Sequence, residues 1–229
     1  HAGSPPLNTT GVVLSAQNNQ KLWFADGKHY CFYDPSPNFV QPWVASSGAL
    51  PVDAAGNAPR IIETWRGRAV LTGLLGDPQD WFMSAVSDPT DWNYNPIPVV
   101  PTQAIAGSNA PQGLVGDVVT GFIPYTDDVG IIGCDHQIWM MNGDPMNGGQ
   151  LDVITKSIGM AWGRAWEMDP YGNIYFLSNR TGIYSLIPGQ QPQRISQQIE
   201  QPLAAYNTGN TTARLIWDDR FQGLHVLLS

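Results

Sequence analysis

The residues in this chain best suited to chemistry are its tryptophans and its clustered aspartates. Trp162 and Trp166 flank Gly163 and Arg164. Two indoles beside a guanidinium make a surface on which a sugar ring could stack. The other seven tryptophans fall in or beside strand-like runs, where one large aromatic per unit fills the space between sheets. The carboxylates gather as Asp77 with Asp80, Asp88 with Asp91, Asp127 with Asp128 and Asp218 with Asp219. Such pairs could cleave a glycoside, which needs two carboxyls ~5–9 Å apart across the sugar, or could bind calcium. They also cap turns through their own backbone, and their place beside strand ends favours that reading.

His29, His136 and His225 each lie beside or within a different hairpin. A shared metal or a general base therefore stands against packed or surface histidines. Glutamate is scarce (Glu63, Glu167, Glu200), which counts against a lactonase-like propeller whose metal draws Glu, Asn and Asp from several blades. Cys31 and Cys134 sit far apart in apolar runs, as two buried thiols or one disulfide. The chain has no G-x-S-x-G elbow, phosphate loop, H-E-x-x-H, C-x-x-C or EF-hand loop. No catalytic, cofactor-binding or metal-ligating residue is assigned. Sequons at Asn8, Asn179 and Asn210 carry no weight without a secretion signal.

The elements that would position these groups are short paired strands. Lys21 to Ala25 and His29 to Tyr33 flank Asp26-Gly27, a dipeptide suited to a type I′ hairpin. Arg68 to Leu74 pairs with Trp81 to Val86, Val129 to Gly133 with Gln137 to Met141, and Asn173 to Leu177 with Gly182 to Leu186. Single strand candidates stand before hairpins at Arg60 to Trp65, Val118 to Tyr125, Arg164 to Met168 and Ala213 to Trp217. Others follow them at Val40 to Ala45, Gln150 to Thr155 and Gln193 to Ser196. The unit of strand, hairpin and strand recurs at roughly 45–60 residues, near the period of propeller blades. Helical periodicity is confined to Ser196 to Ala205, where Pro202 interrupts it.

This reading gives an all-β chain forming one β-propeller-like domain over 1–229, with about five antiparallel blades, whole or partial. The blades fall near 20–48, 59–100, 113–157, 162–204 and 211–229. Residues 1–19 are an extension or a strand closing the last, incomplete blade.

Composition agrees. Only 13 % of residues are charged, so exposed helix faces rich in Glu and Lys are not expected. The 24 Gly and 19 Pro are spread as punctuation along the chain. A net charge of −8 argues against sequence-specific nucleic-acid binding, although an acidic wall could face DNA in transit. No apolar run approaches the ~20 residues of a membrane span.

Two stretches resemble a known family. Arg66 to Gly73, followed by Met83-Ser84-Ala85-Val86-Ser87-Asp88-Pro89-Thr90-Asp91-Trp92, resembles the strand and S-x-x-x-D-P-x-x-W/F phrase of phage tail propellers. Asp169-Pro170-Tyr171-Gly172-Asn173-Ile174-Tyr175, with Pro192-Gln193-Arg194-Ile195-Ser196 and the residues to Glu200, is similar to blades of tail nozzle and head-closure proteins of short-tailed phages. Asp88, Trp92, Asp169, Gly172, Arg194 and Ser196 are then blade-building residues. The resemblance covers about half the chain, and family members are usually much longer.

It implies a virion structural protein without enzymatic activity or cofactor, assembling with itself or other tail proteins around the DNA exit channel or supporting fibres. The alternative is an extracellular carbohydrate-binding or glycan-cleaving propeller, with Trp162, Trp166 and Arg164 at its surface.

Overall fold

The computed structural model describes residues 6–8, 10–180, 182–197 and 213–228. Strands make up nearly all of its regular structure, with one 3₁₀ turn at Pro145–Asn147.

The first sheet is a meander of β1 (Leu14–Asn18), β2 (Lys21–Ala25), β3 (Tyr30–Asp34) and β4 (Phe39–Pro42). After the two-residue β5 (Ser47–Gly48) comes the second sheet, built from β6 (Ile61–Trp65), β7 (Arg68–Thr72) and β8 (Trp81–Met83). Then β9 (Asp91–Trp92) leaves this sheet to pair with β5, and β10 (Ile105–Ala106) returns to β8. The third sheet holds β11 (Val119–Pro124), β12 (Val129–Cys134), β13 (Ile138–Asn142) and β14 (Gln150–Thr155). The fourth holds β15 (Trp166–Met168), β16 (Ile174–Ser178), β17 (Gly182–Leu186) and β18 (Gln193–Arg194), and the fifth β19 (Ala213–Asp218) and β20 (Gly223–Leu228).

Each of the first four sheets thus runs outward from its first strand in chain order. The first strands stand against one another: β1 against β6, β6 against β11, and β15 against β19. Apolar cores fill the spaces between successive sheets because side chains alternate across each strand. Trp23 and Phe32 meet Leu71 and Phe82 between the first and second sheets. Val70 and Met83 meet Phe122 and Ile132 between the second and third. Ile131 and Ile138 meet Ile174 and Phe176 between the third and fourth. Leu177 and Ile183 meet Ala213 and Leu215 between the fourth and fifth. A sheet covered on both faces by its neighbours, with first strands clustered, is a propeller-like arrangement.

Four features depart from the sequence reading. Residues 14–18 form β1 and pair with β2, so they belong to the first sheet and do not close the last one. His29 lies outside β3, in a four-residue turn that is not a type I′ pair. There the Asp26 carboxylate accepts the Lys28 and His29 N–H groups at 2.8 and 2.6 Å, which widens the loop. The short strands β5, β9 and β10 went unforeseen, because two residues carry no periodicity. Most of the helical candidate from Ser196 to Ala205, the sequon at Asn210 and the end of the tail-like phrase at Ile199-Glu200 lie outside the described residues.

Candidate functional site

Among the described residues, no apolar core cluster joins the first and fifth sheets as clusters join the other four junctions. In its place is a cleft of about 380 Å³, lined by residues 12–15, 162–164, 213–214 and 227–228. The connection leading into β15 carries two of the singled-out residues, Trp162 and Arg164, to its wall. Trp162 is half-buried, and the Arg60 guanidinium lies 4.2 Å from its ring centroid. That contact occupies indole surface that a sugar would need. Trp166 is only 6 % exposed, packed with Ile174 and Phe176 in the core between the third and fourth sheets. The pair therefore does not form an exposed platform, because strand alternation turns Trp166 inward.

Arg164 Nε lies 3.4 Å from Glu63 Oε1 on β6. Burial pushes the Glu63 carboxyl up to about 7, against the pull of the Arg164 charge. Arg214 lines the same cleft from β19, where it is exposed. Two guanidiniums among valine, leucine and tryptophan suit an anion with an apolar body. The sequence missed Arg214 and Glu63 because only folding brings β6, β15 and β19 together.

The other candidates are structural fasteners at separate places. Asp88 Oδ1 accepts the Thr90 N–H at 2.9 Å and the Thr90 hydroxyl at 2.7 Å, closing the turn before β9. The carbonyl of Pro89 accepts the indole N–H of both Trp92 (2.8 Å) and Trp43 (2.9 Å). One phrase of the second unit thus ties down a tryptophan of the first. Asp169, 7 % exposed, accepts the N–H groups of Tyr171 and Asn173, the Asn173 amide and the Tyr175 hydroxyl at 2.7–3.0 Å. Burial raises its carboxyl, yet these bonds outweigh burial and hold it below the usual range. Gly172 sits in the same turn at φ 86°, a conformation that costs other residues. Asp53 repeats the arrangement with Asn57 and Gly56, so D-x-x-G-N occurs twice, a repeat the sequence displays openly. Ser196 Oγ accepts the Ile183 N–H at 2.9 Å, and Arg194 stands opposite Tyr184 in the register of β18.

The three histidines stay apart. His29 pairs with Asp26 (3.0 Å), His136 with Asp135 and Asp117 (3.2 and 3.4 Å), and His225 with Asp218 (3.3 Å). Among the described residues, no three of His, Cys, Asp and Glu converge as a metal cluster. Cys31 and Cys134 are free and fully buried, and burial raises both thiols.

A second recess of about 520 Å³ opens between residues 94–112 and 145–150. Beside it, Tyr94 Oη and Gln112 Oε1 are buried and meet no hydrogen-bond partner among the described residues. Under it, Arg68 is fully buried, donating to the carbonyls of Ser84 and Gln103 and facing Asp144 at 3.3 Å. Among the described residues, no helix is long and apolar enough to cross a membrane.

No protein-family model matches the chain, and no curated protein matches its sequence. Solved structures do match its fold. The extracellular domain of a hybrid two-component system of B. thetaiotaomicron aligns over 99 % of this chain with a TM-score of 0.55 and 15 % identity. A second structure, of an extracellular domain described as a one-component system from the same organism, aligns over 99 % with a TM-score of 0.56 and 12 % identity. The chain spans 28 % of the length of each. At such identity the likeness concerns the fold alone. Hsv2 of Kluyveromyces marxianus aligns over 97 % of this chain and 72 % of its own, with a TM-score of 0.45 and 5 % identity, too distant to carry an argument.

Proposed function

We propose that this chain is a structural component of a bacteriophage tail. It is a propeller-like module of about five blades, the fifth partial. It contributes to a nozzle or adaptor around the DNA exit channel, or supports fibres, and it has no enzymatic role. The observation that carries this reading is the use made of the two tail-like phrases. The Asp88-to-Trp92 phrase fastens the first sheet to the second through Pro89, and Ser196 fastens β17 to the segment after β18. Residues that resemble the family therefore serve construction of the blades. Partners are other copies of the chain or other tail proteins, and the acidic balance suits DNA passing without being gripped. Light scattering with negative-stain imaging of the purified protein tests the reading. A closed ring of subunits supports it, whereas a strictly monomeric protein at assembly concentrations counts against it.

A carbohydrate-binding reading has one observation in its favour, and it lies away from Trp162 and Trp166. The second recess is lined by the amides of Asn95 and Gln150 beside Val99 and Met146, a mix of hydrogen-bonding groups and apolar surface that suits a sugar. Glycan retention lost in Asn95→Ala with unchanged melting would support it. No retention by the parent protein would end it.

A further inference from the structure

Arg60 is a half-buried guanidinium that meets no carboxylate among the described residues. Burial lowers it from its ordinary value, and no neighbouring acid opposes that. By contrast, Arg66, Arg68 and Arg164 lie 2.9, 3.3 and 3.4 Å from Asp128, Asp144 and Glu63. In a chain with 19 acidic residues against 11 Lys and Arg, a desolvated cation left unpaired costs stability that an acid would restore. The fold nevertheless fixes it in place. Arg60 Nε donates to the Gly73 carbonyl at 3.1 Å, and the guanidinium lies over the Trp162 ring, 4.2 Å from its centroid. Two glycines make room for this pair. A Cβ on Gly27 would stand 2.8 Å from Arg60 Cγ, and one on Gly73 would stand 3.2 Å from the Trp162 ring. The ring takes one face of the guanidinium and Gly73 takes one N–H. The two Nη groups, projecting as a fork, donate to nothing among the described residues.

Arg60 lines a recess of about 280 Å³ between the β2–β3 turn and the segments leading into β1 and β6. Lys28 in the same wall is exposed and has no acidic partner among the described residues. The acid in this wall is Asp26, whose side chain is fully buried. Its oxygens already accept the N–H groups of Asn8, Lys28 and His29 and pair with the His29 ring. Asn57 Nδ2 donates to Asp53, which leaves its Oδ1 to accept from a ligand hydroxyl. Leu75, 58 % exposed, adds apolar surface.

We propose that this recess binds a uronic acid, with its carboxylate on the Arg60 fork beside Lys28 and its hydroxylated ring against Asn57 and Leu75. A planar carboxylate takes two parallel hydrogen bonds from a guanidinium edge, and one fork balances its one charge. A phosphate dianion brings a second charge towards Asp26, so the carboxylate is the better match. The volume lies just below the range of sites for drug-sized ligands, which suits a single sugar ring. This site is separate from the recess beside Tyr94 and stands apart from the tail assignment.

The test titrates the 229-residue chain with D-glucuronate and follows amide and indole N–H signals by NMR. Saturable shifts at Gly27, Asn57 and the Trp162 indole are expected. D-glucose, which has the ring without the acid, gives no saturation. Arg60→Gln weakens the affinity about tenfold or more. Lys28→Gln, at an exposed position where folding is not at stake, weakens it about threefold. Arg220→Gln makes the same charge change at a side chain 85 % exposed beyond β19 and leaves the affinity unchanged. No saturation by glucuronate overturns the proposal. So does equal weakening in Arg220→Gln, which reports net charge alone. Loss in Arg214→Gln in place of Arg60→Gln puts the anion in the neighbouring cleft and also overturns it. Tighter saturation by inorganic phosphate than by glucuronate makes this a phosphate site and overturns the assignment to a sugar acid.

Discussion

Glu63 places a carboxyl at 6 % exposure with Arg164 at 3.4 Å. Its ordinary value of 4.5 rises to about 7 because burial outweighs that neighbouring charge. The folded chain therefore keeps this proton up to about pH 7, while the unfolded chain releases it near 4.5. Between those values the folded state binds more protons, so its stability falls as pH rises through the window and levels off above it. Glu63→Gln removes this slope, which melting temperatures measured from pH 5 to 8 will show as a flatter profile than the parent's. The difference amounts to roughly 3 kcal/mol at most. Arg68 argues from the opposite direction. Fully buried, it is held by carbonyls and Asp144, so Arg68→Leu strands an acid and several acceptors. A loss of about 3 kcal/mol is expected in urea unfolding. Ser196→Ala leaves the Ile183 N–H without its acceptor and costs about 1–2 kcal/mol in the same assay, with no effect on any ligand.

At the scale of elements, the connections between sheets are as constrained as the strands. Gly159 lies on the path from β14 to β15, where a Cβ would run into the carbonyl of Asp135. The next residue, Met160, donates its N–H to Cys134 at 2.8 Å, which fixes the fourth sheet against the third. Gly159→Ala must displace backbone at this crossing, with a loss of at least ~2 kcal/mol in urea unfolding. The first junction relies instead on aromatics: Trp23 meets Trp43 at 4.6 Å between centroids, and Trp43 meets Trp92 at 5.9 Å. Trp43→Phe keeps most of that area and loses the bond to Pro89, a cost of about 1 kcal/mol.

For the whole molecule, stability should follow how many faces of a sheet are covered. Among the described residues, the second, third and fourth sheets have an apolar core on both sides, whereas the first and fifth each have one. Such stacks unfold by neighbour-to-neighbour interactions, and local opening is cheapest at the least covered unit. Amide exchange in β20 should therefore be the fastest of any strand longer than three residues, and exchange in β7 and β12 the slowest. Uniform protection across all sheets would show one cooperative unit instead.

The sequence by itself determined what depends on neighbours along the chain. Short apolar, strand-forming runs placed β6, β11, β16 and β17, and Asp-, Gly- and Pro-rich breaks marked the turns between them. The D-x-x-G-N turn at Asp169 could be read the same way, because its hydrogen bonds close within a few residues. Tertiary structure decided which strand meets which across long separations, since that depends on packing and not on period. It gave β1 to the first sheet, sent β9 to β5 and turned Trp166 into the core. It also gathered Glu63, Arg164 and Arg214, residues far apart in sequence, around the first and fifth sheets. The cleft forms where the chain leading into β1, the connection into β15 and the two strands of the fifth sheet meet, a relation between sheets that no local pattern encodes.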